Sequence, residues 1–157
     1  MDKKKIVELG IQKLRAKLEL SEKTVRDTEE QRRDAPSAMQ SWSDTTRFQT
    51  EAIISQMEEE KADVRRHLEF LESLDLREKI KAEKGVLVEV ENIESLERKF
   101  YFISCCPGLE IEIGKERVIF ISESSPLAKS LLGKKAEDEF EVKLGLVDKK
   151  LKIISTI

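Results

Sequence analysis

The chain has 157 residues, of which 39% are charged and only 5% aromatic, so it can form one large or two small domains with a modest core. Its 29 lysine and arginine residues are balanced by 32 acidic residues, which excludes an overall basic surface that would bind duplex DNA by charge alone. The only cysteines, Cys105 and Cys106, are adjacent, and no apolar run reaches the length of a signal or a membrane span. These features predict a soluble cytoplasmic protein with reduced thiols.

Two heptad-like patterns occupy the first half of the chain. Apolar or small residues recur at steps of three and four in two segments: Val7, Ile11, Leu14, Leu18, Ser21, Val25 and Thr28, then Ile54, Met57, Lys61, Val64, Leu68 and Leu71. Such a seam is typical of a coiled coil, and Pro36 between the segments disfavours helix at Ala35. We therefore predict an antiparallel two-helix coiled coil over residues 1–80, with its tip at about residues 34–46.

The heptads alone do not distinguish a hairpin within one chain from pairing between two copies. Because a short connection raises the effective concentration of the second helix, we favour the hairpin and expect a monomer. A coiled-coil adaptor or a homodimer is the alternative from a different class of protein.

The second half, residues 81–157, is rich in β-branched and aromatic residues that alternate with charges. Predicted strands are Val86–Glu91, Lys99–Ile103, Leu109–Ile113, Arg117–Ile121, Glu139–Leu144 and Lys149–Ser155. One short helix starts at Pro126, with Ser125 as its N-cap, and stops at Gly133. The pattern predicts an α+β domain whose antiparallel sheet has one face covered by this helix and the other solvated.

The stretch from Ile121 to Lys135, followed by Glu137-Asp-Glu-Phe-Glu-Val142, resembles the C-terminal signature of the GreA/GreB transcription elongation factors. The helical opening at Gly10 and Lys13-Leu-Arg15 is also similar to that family. The resemblance implies an FKBP-like C-terminal domain that docks on bacterial RNA polymerase through Ser124, Ser125 and Pro126. It also implies that the coiled coil enters the secondary channel of the polymerase.

The tip of the coiled coil departs from the family pattern. In the family, tip acids in an Asp-x-x-Glu-Asn-x-Glu-Tyr motif help hold a catalytic Mg²⁺, and the polymerase then cleaves backtracked RNA. The three family acids fall on Ser41, Asp44 and Arg47, and the aromatic falls on Phe48. Only Asp44 remains a candidate metal ligand, and the positive charge of Arg47 opposes metal recruitment. The resemblance therefore implies modulation or occlusion of the active site, with no self-contained enzyme and no cofactor beyond Mg²⁺ shared with the polymerase.

Other interpretations of the tip and the docking residues stay open. Asp44 together with polymerase carboxylates would make a working cleavage factor. Ser41 and Asp44 also fit a capping box at the start of the second helix, and Trp42 either staples the turn or contacts a partner. Ser125 and Pro126 would cap the short helix whether or not they dock on a partner.

Overall fold

The computed structural model describes residues 1–34, 40–77, 79–145 and 147–157, and the side chains in those ranges except at 31–34, 40–47, 50 and 144. The elements in chain order are α1 (Lys3–Asp34), α2 (Gln40–Glu72), β1 (Leu87–Asn92), β2 (Arg98–Ser104), β3 (Glu110–Ile113), β4 (Glu116–Ser122), α3 (Pro126–Leu131), β5 (Glu139–Leu144) and β6 (Val147–Thr156). They form two compact units, residues 11–69 and residues 1–10 with 70–157. Within these described ranges, none of the helices contains an apolar stretch that could span a lipid bilayer.

The helical unit, residues 11–69, is an antiparallel hairpin of α1 and α2. Every predicted seam position in this unit is buried or half-buried, and most residues between the seam positions are exposed. Leu14, Val25 and Val64 are among the buried residues. A salt bridge of 3.1 Å joins Arg65 Nη2 of α2 to Glu22 Oε1 of α1. The heptad interpretation and the antiparallel pairing of the two helices are thus confirmed, and the expectation of a monomer stays a prediction.

One buried position of this seam carries a charge. Lys61 is buried to the same degree as the apolar seam residues, and its ammonium donates to Glu58 Oε1 at 2.7 Å. Because Glu58 is one turn away on the same helix, the pair keeps the lysine charge compensated at the edge of the seam. A polar residue at one core position is a known device for fixing coiled-coil register, at a cost in stability.

The second unit contains a six-stranded sheet of order β3-β4-β2-β1-β6-β5. The sequence predicts an antiparallel sheet, and four of the five pairings are antiparallel, but β2 and β4 run parallel. The reason is that β3 lies at the sheet edge and forms a hairpin with β4, so β4 returns beside β2 in the same direction. The sheet is therefore mixed, within the predicted α+β class.

One face of the sheet is covered and the other is covered in part, which corrects the expectation that the second face is wholly solvated: over β5 and β6 that face carries charged side chains such as Glu141 and Lys150. On one face, Leu127 and Leu131 of α3 belong to a buried cluster with sheet residues such as Ile153. On the other face, the rings of Phe102 and Phe120 stack with centroids 4.7 Å apart, and both are fully buried. The first turns of α1 and the end of α2 belong to this unit and account for the second layer: a Cβ placed at Gly10 would lie 3.2 Å from Leu71 Cδ1 and 3.5 Å from Phe120 Cζ.

Candidate functional site

The β4–α3 loop, residues 123–125, carries the predicted docking residues. Ser125 is the N-cap of α3, and its hydroxyl oxygen accepts a hydrogen bond from the Ala128 N–H at 3.2 Å. Pro126 occupies the first helical position, where its missing N–H costs nothing. Ser124 is held by Ser122 at the end of β4, because the Ser124 N–H donates to Ser122 Oγ at 3.2 Å and the two hydroxyl oxygens lie 2.8 Å apart. The loop is held by its own hydrogen bonds.

The base of this loop is tied to the segment that precedes β1. Lys84 Nζ lies 3.0 Å from Glu123 Oε2 and 5.0 Å from the centre of the Phe70 ring. The hydrogen bond to Glu123 is the main cause that raises the pKa of Lys84, and the nearby sulfur atoms of Cys105 and Cys106 raise it further by charge. This lysine therefore stays charged and links the loop to its neighbours.

The far end of α3 is anchored by the backbone. Gly133 has φ +81° and donates its N–H to the Ala82 carbonyl at 2.8 Å, and the Ala82 N–H donates to the Lys134 carbonyl at 2.8 Å. With Leu127 and Leu131 buried beneath the helix, its outer side is left to solvent. Ser124, Pro126 and Leu132 are exposed there, and Ser125 is half-buried. The predicted docking residues are thus close together and accessible from one side.

The two cysteines lie at the same end of the sheet as the β4–α3 loop. The parallel pairing of β2 with β4 puts Ser104 in register with Ser122, so the segments that follow both strands leave the sheet side by side. The Cys106 N–H donates to Ser104 Oγ at 2.9 Å, and the sulfur atoms of Cys105 and Cys106 are 3.8 Å apart. Burial is the main cause that raises the pKa of the Cys106 thiol to about 12. Sequence reasoning missed this neighbourhood, because it depends on the parallel pairing.

The tip residues lie at the start of α2, which begins at Gln40. Ser41 is therefore inside the first helical turn, which corrects its assignment as N-cap of a capping box. The side chains of Ser41, Trp42, Asp44 and Arg47 lie outside the described residues, so the predictions of a metal ligand and of tip contacts stay predictions. Phe48 is 76% exposed.

Comparisons with known proteins address the C-terminal half directly. Residues 79–156 match the family model described as transcription elongation factor, GreA/GreB, C-terminal. A search of curated proteins found no match. The range that matches includes all six strands, α3 and the signature from Ile121 to Val142.

Several solved structures are similar to the chain at low identity. GreA factor homolog 1 of Thermus thermophilus is 16% identical, with 94% of each chain covered and a TM-score of 0.40. Gfh1 of Thermus aquaticus is 17% identical over 95% of this chain and 94% of its own, with a TM-score of 0.40. A GreA/GreB factor of Nitrosomonas europaea is 21% identical over 54% of this chain and 64% of its own, with a TM-score of 0.37. The assignment rests on the match of residues 79–156: the chain is a divergent member of the GreA/GreB family of transcription elongation factors.

Proposed function

We propose that this elongation factor binds bacterial RNA polymerase through its β4–α3 loop and inserts its helical hairpin into the secondary channel. There it modulates or occludes the active site and does not stimulate RNA cleavage. The observation that carries the proposal is the family match over residues 79–156, whose signature segment forms an exposed, hydrogen-bonded loop. Such a factor works where the polymerase is, in the bacterial cytoplasm.

The β4–α3 loop suits a docking surface because it combines access with order. Loops carry binding residues most effectively when a rigid scaffold positions them. Ser124 and Pro126 are exposed, and the cap hydrogen bond of Ser125 fixes the turn between them. A surface that is ordered before binding loses less conformational entropy on association.

The helical hairpin has a length that fits insertion into a channel. Residues 11–34 of α1 form a helix of roughly 36 Å, at about 1.5 Å per residue. Its charged residues lie mainly outside the seam, which suits a solvated passage. The hairpin needs no second copy of the chain to bury its apolar seam, in keeping with a monomer.

The composition of the tip favours occlusion over cleavage. Mg²⁺ requires hard oxygen ligands, and the tip sequence offers Asp44 where the family pattern has three acids. Arg47 adds a positive charge at one of those positions, which repels a cation within a Debye length. Any Mg²⁺ used with this factor is therefore held mainly by the polymerase, and the tip competes with an incoming nucleotide or extruded RNA for space.

The docking step is tested by placing a charge on the β4–α3 loop. In Pro126→Glu the new carboxylate sits in the first turn of α3, where the helix dipole tolerates it, so the domain keeps its fold while the docking surface becomes acidic. The matched control is Val147→Glu, since Val147 is 58% exposed and lies at the opposite end of the sheet. We expect Pro126→Glu to weaken binding to polymerase core enzyme at least tenfold and Val147→Glu to leave it unchanged. Equal binding by both variants would contradict docking through this loop.

The role of the tip is tested by restoring the acids of the family pattern. The variant Ser41→Asp, Asp44→Glu, Arg47→Glu should gain the ability to shorten backtracked RNA in the presence of polymerase and Mg²⁺. The parent chain should not shorten it. If the parent and the restored variant shorten the RNA to the same extent, the missing acids do not determine the activity. If neither protein binds polymerase, an adaptor unrelated to polymerase is favoured.

A further inference from the structure

Two thiols lie side by side at the end of β2, outside the docking residues. Cys106 is buried and Cys105 is half-buried, and their sulfur atoms are 3.8 Å apart. The Cys106 backbone is held by its hydrogen bond to Ser104 Oγ at 2.9 Å. The position of the two thiols is thus fixed by the end of a central strand.

This separation matches the distance between two thiolate ligands of one tetrahedral metal ion. With a metal–sulfur bond of about 2.3 Å, two ligands at the tetrahedral angle have their sulfur atoms about 3.8 Å apart. Thiolates are soft ligands that select ions such as Zn²⁺ and Cd²⁺ over Mg²⁺, which prefers oxygen. The pair therefore suits a different metal ion from the Mg²⁺ that the tip acids of the family pattern help to hold.

We propose that Cys105 and Cys106 form a bidentate site for a thiophilic divalent metal ion of the zinc and cadmium class. On binding, each thiol loses its S–H proton to solvent and forms one sulfur–metal bond, so two positive charges enter as two protons leave. No oxidant or reductant takes part. Water completes the coordination on the half-exposed side of Cys105.

The surroundings of the pair connect it to the β4–α3 loop. The ammonium of Lys84 lies close enough to both sulfur atoms to interact with them by charge, and it pairs with Glu123 at 3.0 Å. Glu123 is the first residue of that loop, directly after β4. A metal ion bound to the two sulfur atoms would lie beside the residues that hold the loop. Metal binding should therefore change the signals of residues in the loop. The site itself depends only on the geometry of the two thiols and not on the polymerase-binding proposal.

The test is a titration of the reduced full chain with Cd²⁺, followed through the ultraviolet sulfur-to-cadmium charge-transfer band. We expect one ion per chain, displacement by Zn²⁺ but not by excess Mg²⁺, and shifts of the Glu123 and Ser124 amide signals in nuclear magnetic resonance spectra. Cys105→Ser and Cys106→Ala should each lower the affinity roughly 100-fold or more, because each leaves a single donor. Circular dichroism spectra identify any variant that fails to fold, and Cys105→Ser at the half-exposed position serves as the tolerant variant.

Three results would overturn the site. They are no charge-transfer band with the parent chain, an unchanged affinity in the folded Cys105→Ser variant, or one ion per two chains with accompanying dimer formation. The last result would mean that thiols of two copies share the ion. None of these results depends on polymerase, so failure of this site leaves the proposed function untouched, and failure of polymerase binding leaves the site untouched.

Discussion

The hydroxyl of Ser125 offers a direct test of how the β4–α3 loop is held. Replacing it with alanine removes the acceptor that satisfies the Ala128 N–H at 3.2 Å, and the loss of such a cap costs about 1 kcal/mol, within a range of about 0.5–2 kcal/mol. The helix should nevertheless persist, because Leu127 and Leu131 remain buried beneath it. We therefore expect a destabilised but folded domain.

The substitution Ser125→Asp tests whether the helix needs the hydroxyl of Ser125 itself or only a hydrogen-bond acceptor at the N-cap. Aspartate keeps an acceptor at the N-cap, and its negative charge is favourable at a helix N-terminus. We expect the free energy of unfolding of Ser125→Asp to lie within about 0.5 kcal/mol of that of the parent chain. That of Ser125→Ala should be about 1 kcal/mol lower, which corresponds to a melting temperature lower by about 2–4 °C for a chain of this length. Ser124→Ala is the control, since Ser124 is exposed and its side chain does not cap the helix.

The assay is urea unfolding followed by circular dichroism, with all four proteins measured at the same pH and salt concentration. The free energy of unfolding should rank Ser125→Ala lowest and place the other two variants close to the parent. An equal loss in Ser125→Ala and Ser124→Ala would refute the capping argument. So would a Ser125→Asp variant as unstable as Ser125→Ala.

Two further predictions concern the segment before β1 and the pH dependence of one carboxylate. Gly85 and Gly133 share φ +81°, but a Cβ at Gly85 would lie 2.5 Å from Leu74 Cδ1, whereas a Cβ at Gly133 meets nothing within 4 Å. Gly85→Ala should therefore lower the free energy of unfolding by about 1 kcal/mol more than Gly133→Ala, since the leucine must leave its rotamer. Urea unfolding of the two variants measures this difference. Equal losses would contradict that clash, and adding Leu74→Ala should remove the difference. The Arg77 side chain, by hydrogen bonds to both carboxylate oxygens, is the main cause that lowers the pKa of Asp75 from 3.8 to about 2. Because the pKa of Asp75 is lower in the folded state than in the unfolded state, the stability from this pair is present above pH 3.8 and is lost as pH falls toward 2. In Arg77→Gln the pKa of Asp75, measured by nuclear magnetic resonance titration, should return toward 3.8. An unchanged pKa would show that the arginine does not lower it.

Local patterns predicted much of the architecture. The heptad seams predicted the positions that the hairpin buries, because a coiled coil buries one stripe of residues along each helix. The Ser125-Pro126 pair and Gly133 marked both ends of α3, because cap preferences follow from backbone geometry at those residues. Alternation of apolar and charged residues located all six strands to within about two residues.

Features set by long-range pairing were not predictable in the same way. The parallel alignment of β2 with β4 depends on β3 taking the sheet edge, and no local pattern in Glu110–Ile113 specifies that placement. The proximity of the cysteines to the β4–α3 loop follows from the same pairing. The covered part of the second face depends on Gly10 and Leu71. The heptad pattern assigned both residues to the hairpin and gave no sign that they also pack on the sheet.

The central claim is most directly tested by the length of the transcript in a backtracked bacterial elongation complex, with and without this factor at a fixed Mg²⁺ concentration. The proposal predicts an unchanged RNA length together with slower nucleotide addition, because the hairpin occupies the channel without completing a metal site. Shortened RNA, lost again in Asp44→Ala, would contradict it and show that one acid is enough for cleavage.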